Sequence, residues 1–150
     1  MVSSTLSSSR RRLLSDFRFS LVLPKPIIEE ILKRATSSPI EICGFLLGRE
    51  NKVSEVVFVK NGLDSPVEFE MEPEEMLKAL EYAEGKGLEV VGIFHSHLSC
   101  PPTPSGKDLK GMELWPVVWL IVNSSGEYGA WKLENGKVVE VEVRIVNGSP

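Results

Sequence analysis

The hydrophobic pattern of the chain switches repeatedly between the period of strands and the period of helices. Apolar runs and alternations predict strands at residues 17–23, 40–48, 53–60, 67–71, 88–94, 117–122, 128–133 and 138–146. Helical spacing predicts one helix over residues 24–35, a second from Pro73 to Gly85, and a short third helix that ends near Leu114. This order of elements predicts an α+β or mixed α/β domain in which helices flank one central sheet.

The first two predicted helices each have an apolar face. The residues of the first face are Ile27, Ile28, Ile31, Leu32 and Ala35. The residues of the second face are Met76, Leu77, Leu80 and Ala83. Both faces are expected to pack on the sheet. The last three strands are separated by turn signals at Ser124-Ser125-Gly126 and Asn135-Gly136, the second of which is typical of a tight hairpin.

Composition and length predict one ordinary globular domain. The chain has 150 residues, of which 42% are hydrophobic and 25% are charged. Residues 1–16 are rich in Ser and Arg with a single acid, so we expect a disordered tail there. The catalytic domain is then expected at residues 17–147, and the oligomeric state, including a homo-oligomer, is left open.

Charge and cysteine content restrict the kinds of partner and the cellular compartment that are expected. The net charge is -4 and the basic residues are spread along the chain apart from Arg10, Arg11 and Arg12, so no nucleic-acid partner is expected. No apolar run approaches the ~20 residues of a membrane span. With only two cysteines and no secretory hydrophobic region before the domain, we expect a cytoplasmic protein.

Both histidines of the chain lie in one short motif, His95-Ser96-His97, after which seven intervening residues lead to Ser105 and two more intervening residues lead to Asp108. Residues i and i+2 of a strand share a face, so the two imidazoles are expected to project into one volume. A tight proline-rich loop returns the chain so that Asp108 can supply a third ligand. Two His and one carboxylate leave a fourth position open, which is typical of catalytic zinc. Glu41 and Ser105 are the candidates for a general base and an oxyanion stabiliser.

This pattern, together with the segment EICGFLLG that begins at Glu41, resembles the JAMM (MPN+) zinc metalloproteases, in particular minimal archaeal-type members that are deubiquitinase-like or desampylase-like. The resemblance covers residues 17–122. It implies an MPN (cytidine-deaminase-like) fold with a curved mixed sheet. Glycines inside the predicted strands, at Gly44, Gly48 and Gly92, suggest close approach of a backbone or ligand beside the site.

The resemblance also implies a role for each motif residue. His95, His97 and Asp108 would bind one Zn2+ per chain, Glu41 would take a proton from the attacking water, and Ser105 would steady the oxyanion. The substrate would be a ubiquitin-like modifier protein, cleaved at an isopeptide or peptide bond after its C-terminal Gly-Gly. Its tail is expected to lie along a sheet edge as an added strand.

Several alternatives compete with these roles. Ser105 and Asp108 also fit a helix capping box, although Thr103 and Pro104 are expected to be the N-cap and first helical residue instead. Cys100 is disfavoured as a fourth ligand or a nucleophile because a fourth protein ligand would close the site. Cys43 and Cys100 are expected to lie close together, and a disulfide between them is left open.

Other functions remain as rivals. The same chemistry could mature a sulfur-carrier protein by trimming residues after its terminal Gly-Gly. A non-catalytic MPN scaffold is disfavoured because all five motif residues are present. A RadC-like association with DNA is disfavoured because the chain lacks a helix-hairpin-helix module and a basic patch.

Overall fold

The computed structural model describes residues 19–63, 70–98 and 100–147, and within them the chain forms three helices and seven strands. In chain order these are β1 Ser20–Pro24, α1 Lys25–Ser37, β2 Cys43–Arg49, β3 Lys52–Val59, α2 Pro73–Gly85, β4 Glu89–His97, α3 Gly106–Leu114, β5 Val118–Asn123, β6 Tyr128–Glu134 and β7 Lys137–Val146. The predicted α+β class is confirmed. The expected tail at residues 1–16 lies outside the described residues.

The seven strands form one mixed sheet that closes on itself in the order β1-β3-β2-β4-β5-β6-β7. β1 runs parallel to both of its neighbours, β4 runs parallel to β5, and the other neighbouring strands are antiparallel. Closure depends on β1, which pairs with β7 from Ser20↔Glu142 to Pro24↔Val146. The curved mixed sheet was predicted, but its closure into a barrel was not.

Two hydrophobic clusters lie on opposite faces of the sheet. The first includes α1, whose buried residues Ile27, Ile28, Ile31 and Ala35 match the predicted face. The second includes α2, α3 and the neighbouring sheet face. In β4 the alternation of side chains sends Phe94 to the first cluster and Ile93 to the second. His95 and His97 follow Ile93 at two-residue steps, so both face the layer of α2 and α3.

The packed face of α2 agrees with the prediction at Met76, Leu80 and Ala83 and differs at Leu77. Ala79 and Ala83 are buried, whereas Leu77 is 56% exposed and was wrongly placed on the packed face. The small side chains of Ala79 and Ala83 pack in the cluster on this face of the sheet. None of the helices in the described ranges is long and apolar enough to cross a membrane.

The strand predicted at 67–71 is only partly testable, because residues 67–69 lie outside the described residues. Met71 forms an isolated antiparallel bridge with Asn61.

The glycines inside β2 and β4 have a packing reason. A Cβ on Gly44 would lie 2.2 Å from the Val57 carbonyl oxygen and 2.5 Å from the Phe94 ring. These contacts are internal to the sheet, so they do not report on a ligand.

Candidate metal centre

The two histidines end β4 with their imidazoles facing each other. Their Nε2 atoms lie 3.2 Å apart, and His95 and His97 are only 0% and 7% exposed. The predicted convergence therefore follows from the regular alternation of β4. His97 Nδ1 lies 2.9 Å from the carbonyl oxygen of Pro101, which leaves Nε2 pointing into the centre.

Asp108, in the first turn of α3, completes a group of three donors. Its Oδ1 lies 3.0 Å from His95 Nε2, and its Oδ2 lies 3.1 Å from His97 Nε2. The carboxylate is buried, and the three ligand atoms all lie within 4.8 Å of one another. Two imidazole nitrogens and one carboxylate oxygen that converge in this way can hold a metal ion.

Burial and mutual contact set the protonation of the three groups. Burial lowers the pKa of His95, so this imidazole is neutral near neutral pH and keeps a lone pair for a metal. The hydrogen bond with Asp108 raises the pKa of His97. Burial alone would raise the pKa of Asp108, but its hydrogen bonds with both histidines outweigh burial and hold it below its usual range. Asp108 is therefore an anionic group that could bind a metal ion.

The start of α3 differs from the prediction. The helix begins at Gly106, and Ser105, rather than Thr103, is its N-cap. Ser105 Oγ accepts from the Asp108 backbone N–H at 3.2 Å, and Asp108 Oδ2 accepts from the Ser105 N–H at 2.9 Å. The capping box and the metal group therefore use the same aspartate. Its cap bond orients the carboxylate that faces the histidines.

Ser105 and Glu41 line the same cavity as His97 and Asp108. Ser105 is exposed at the cavity wall, and its hydroxyl accepts the helix N–H, so its own proton can be donated to a ligand. Glu41 lies just before β2, is only 5% exposed, and exerts a charge effect that raises the pKa of His97. Asn61 Nδ2 donates to the Glu41 carbonyl oxygen at 3.1 Å and holds this segment in place.

The cavity lies between α2 and α3 and has a volume of about 620 Å³. Its lining includes the polar residues Glu41, His97, Ser105 and Asp108. Its remaining wall is largely apolar and is formed by Met71, Met76, Ile93, Leu114, Trp115 and Trp119. A deep apolar wall beside a few convergent polar groups is typical of a ligand site.

The tryptophans at this wall were predicted to be only packing residues, and the structure places two of them at the site. The Trp119 ring lies edge-on to His95 with centroids 5.6 Å apart. Trp119 is also the register partner of Ile93, two residues before His95 on the neighbouring strand. The sequence signal that could have found it is the parallel pairing of β4 with the strand after α3.

The two cysteines are free thiols, so the disulfide that the sequence left open is not formed. Cys43 is buried and its Sγ donates to the Val59 carbonyl oxygen at 3.3 Å. Cys100 is exposed at the cavity wall. Among the described residues, the group able to hold a metal contains the two histidines and Asp108 but not Cys100.

The site residues lie within a segment that matches a known protein family. The family model described as prokaryotic homologues of the JAB domain matches residues 24–134, a span that includes Glu41, both histidines, Ser105 and Asp108. The chain belongs to this family. The predicted relationship to JAMM-type proteins is thereby confirmed, and so is the JAB/MPN fold.

Individual relatives of this JAB-domain protein support the same family and the same fold. It is 63% identical to a desampylase from Pyrococcus furiosus over 133 residues, which is 87% of this chain and 95% of the relative. It is 33% identical to a probable TtuB-protein conjugate cleaving protease from Thermus thermophilus over 82% of both chains. A JAB1/MPN domain protein from Archaeoglobus fulgidus has the same fold, with a TM-score of 0.56 and 22% identity over 83% of this chain and 97% of that chain.

Proposed function

We propose that this JAB-domain protein is a zinc-dependent protease that hydrolyses isopeptide or peptide bonds after the C-terminal Gly-Gly of a ubiquitin-like modifier. The observation that carries the proposal is the convergence of three buried potential ligands beside a large cavity that Glu41 and Ser105 also line. Relatives that are named a desampylase and a conjugate cleaving protease support the choice of protein conjugates as substrates.

The donor set fits zinc. Atoms that bind zinc tetrahedrally at about 2.0–2.1 Å lie about 3.4 Å from one another. The two Nε2 atoms lie 3.2 Å apart, and each lies 3.0–3.1 Å from a different oxygen of the Asp108 carboxylate, so small side-chain shifts would let all three residues hold the ion. Bound zinc would act as a Lewis acid that polarises the substrate carbonyl and makes water nucleophilic near neutral pH.

Glu41 would transfer a proton of the attacking water, and Ser105 would stabilise the negative charge on the oxyanion. In the first step Glu41 accepts a proton from the attacking water while the new C–O bond forms. The Ser105 hydroxyl then donates a hydrogen bond to the oxygen of the tetrahedral carbon. When the C–N bond breaks, Glu41 returns the proton to the leaving amine, so the general base is regenerated.

The tail of the modifier is best placed inside the cavity rather than along a sheet edge. The sheet closes into a barrel whose least paired edge lies between β1 and β3, which pair only at Val22↔Lys52, and no residue of β1 lines the cavity. The residues of β3 do not line the cavity. An extended Gly-Gly segment would thus reach Glu41 through the opening between α2 and α3. The free thiols suit a reducing compartment, so the cytoplasm is the proposed location.

A cleavage assay tests the proposal. The purified protein is loaded with zinc and incubated with one ubiquitin-like protein that ends in Gly-Gly and is joined either to a lysine or to a linear extension. Mass spectrometry of the products is expected to show a free Gly-Gly terminus from both substrates, and chelation of the metal should abolish it. Cleavage of the linear extension alone would point to maturation of a sulfur carrier. Cleavage of neither substrate by zinc-loaded protein would point to a scaffold.

A further inference from the structure

The loop between β4 and α3 is tied down by side chains that donate hydrogen bonds to its carbonyl groups. This loop is here called the ligand loop and comprises residues 98–104, of which Ser99 is not described. The donor and acceptor pairs are Ser124 Oγ to Leu98, Asn123 Nδ2 to Cys100 at 3.3 Å, His97 Nδ1 to Pro101 at 2.9 Å and Trp131 Nε1 to Pro102 at 2.9 Å. Two of these donors, Ser124 and Trp131, lie beyond β5 and do not contact the metal group.

The bond from His97 to Pro101 decides which ring nitrogen faces the metal. A carbonyl oxygen only accepts, so His97 Nδ1 must carry a hydrogen, and Nε2 is left to bind. Partners of this kind orient a ligand imidazole and fix its tautomer. The orientation of His97 therefore depends on where the Pro101 carbonyl is held.

Trp131 controls the next carbonyl along the chain. Proline rings fix φ at both Pro101 and Pro102, so few torsions separate the two carbonyl groups. The Pro101 oxygen also accepts from the Thr103 backbone N–H at 2.8 Å, and the indole Nε1, 2.9 Å from the Pro102 oxygen, holds the residue between these two groups. Trp131 itself lies in β6, which pairs with β5 and β7 in the barrel, and its ring packs against the cluster that includes α2 and α3.

Gly129 gives a second, independent sign that this contact is built into the fold. A Cβ on Gly129 would lie 3.1 Å from Trp131 Nε1 and 3.3 Å from the Pro102 oxygen. Glycine two residues before Trp131 therefore leaves the space in which the indole meets the ligand loop. Any other residue would crowd both partners of the hydrogen bond.

We propose that Trp131 is a positioning residue for the metal centre: its indole N–H holds the ligand loop so that the Pro101 carbonyl fixes His97 with Nε2 toward the metal. This inference rests on the proposed function only in that the centre binds zinc. It adds a contact from the barrel strand β6 to the loop that orients His97. Trp131 itself lies outside the motif. Trp131→Phe keeps an aromatic ring and removes the donor, so it isolates this link.

Zinc affinity, measured by competition with a fluorescent chelator, tests the link. Loss of a partner that orients a ligand typically weakens metal binding by about 10- to 100-fold, and Trp131 acts through one intervening carbonyl, so about tenfold weaker binding is expected for Trp131→Phe. Gly129→Ala, which keeps the donor but crowds the contact, should weaken zinc binding in the same direction. Val141→Ala is the matched control, since Val141 is buried in the cluster on the other face of the sheet.

The comparison separates positioning from general stability. Val141→Ala should lower the unfolding temperature of the metal-free protein and leave zinc affinity unchanged. The inference is overturned if Trp131→Phe and Gly129→Ala both bind zinc as tightly as the wild type. It is also overturned if these two substitutions weaken zinc binding no more than Val141→Ala does. Wild-type protein that binds no zinc would overturn both this inference and the proposed function. Wild-type protein that binds zinc and cleaves no conjugate would overturn the proposed function alone.

Discussion

Replacing Ser105 by alanine separates the two roles that the structure and the proposed chemistry give to one hydroxyl. Its Oγ caps α3 by accepting from the Asp108 N–H at 3.2 Å, and loss of such a cap typically costs ~1 kcal/mol. In a domain of this size ~1 kcal/mol lowers the unfolding temperature by about 2–4 °C. Because native domains are stable by about 5–15 kcal/mol, nearly all molecules of Ser105→Ala stay folded.

Any large loss of turnover in Ser105→Ala must then come from the reaction itself. Removing one oxyanion donor typically lowers kcat by ~10²- to 10³-fold, or about 2.7–4 kcal/mol. Zinc should be retained, because the backbone N–H of residue 105 still donates to Asp108 Oδ2, a bond of 2.9 Å in the native protein. The assay measures kcat on a lysine-linked conjugate, zinc content and the unfolding temperature of the same preparation.

Glu72→Ala provides the matched control, because the Glu72 side chain caps α2 by accepting from the Glu75 N–H at 2.9 Å. It should lower the unfolding temperature and leave kcat unchanged. A Ser105→Ala enzyme with the turnover of the wild type would refute the oxyanion role. A Ser105→Ala protein that loses its zinc would show instead that the hydroxyl serves mainly to hold the Asp108 ligand.

Three further predictions follow from the site. Glu41→Gln keeps the size of the side chain but cannot accept a proton, so zinc content should stay while kcat falls by ~10²- to 10⁴-fold; loss of zinc would make Glu41 a ligand instead. Burial raises the pKa of Cys43 to about 12, so iodoacetamide at pH 8 should label exposed Cys100 and spare Cys43 until the protein is unfolded, as peptide mass mapping would show; labelling of folded Cys43 would contradict its burial. The short ligand loop leaves little to grip the acceptor, so conjugates that differ only in acceptor lysine should be cleaved at comparable rates, and a preference of a hundredfold, worth ~2.7 kcal/mol, would refute this.

The ligand group could be predicted from sequence because each step depends on local geometry. His95 and His97 share a face since β4 pairs regularly from Ile93 to His97, and a seven-residue loop is short enough to return the chain to them. The start of α3 was mispredicted because Thr103-Pro104 and Ser105 are both acceptable caps by local preference. The choice falls on Ser105 because Asp108 must face the histidines, which is a tertiary requirement.

Other features could not be predicted from the sequence because they depend on contacts between segments that are distant along the chain. Closure of the barrel depends on pairing Ser20 with Glu142, and no local pattern marks β1 as the partner of β7. The burial of Ala79 and the exposure of Leu77 in α2 depend on which side of the helix meets the sheet, which is a tertiary contact. The bond from Trp131 to Pro102 links residues 29 positions apart, so the indole looked like ordinary packing.

The most direct test of the account is the zinc content of His97→Ala, measured by elemental analysis alongside hydrolysis of a Gly-Gly conjugate. His97 supplies one of the three donors that converge within 4.8 Å, and within the described ranges no other group of this kind is present. We expect one zinc per wild-type chain, and loss of both metal and hydrolysis in the variant. A His97→Ala protein that retains one zinc per chain and cleaves its substrate at the wild-type rate would contradict the assignment of this centre.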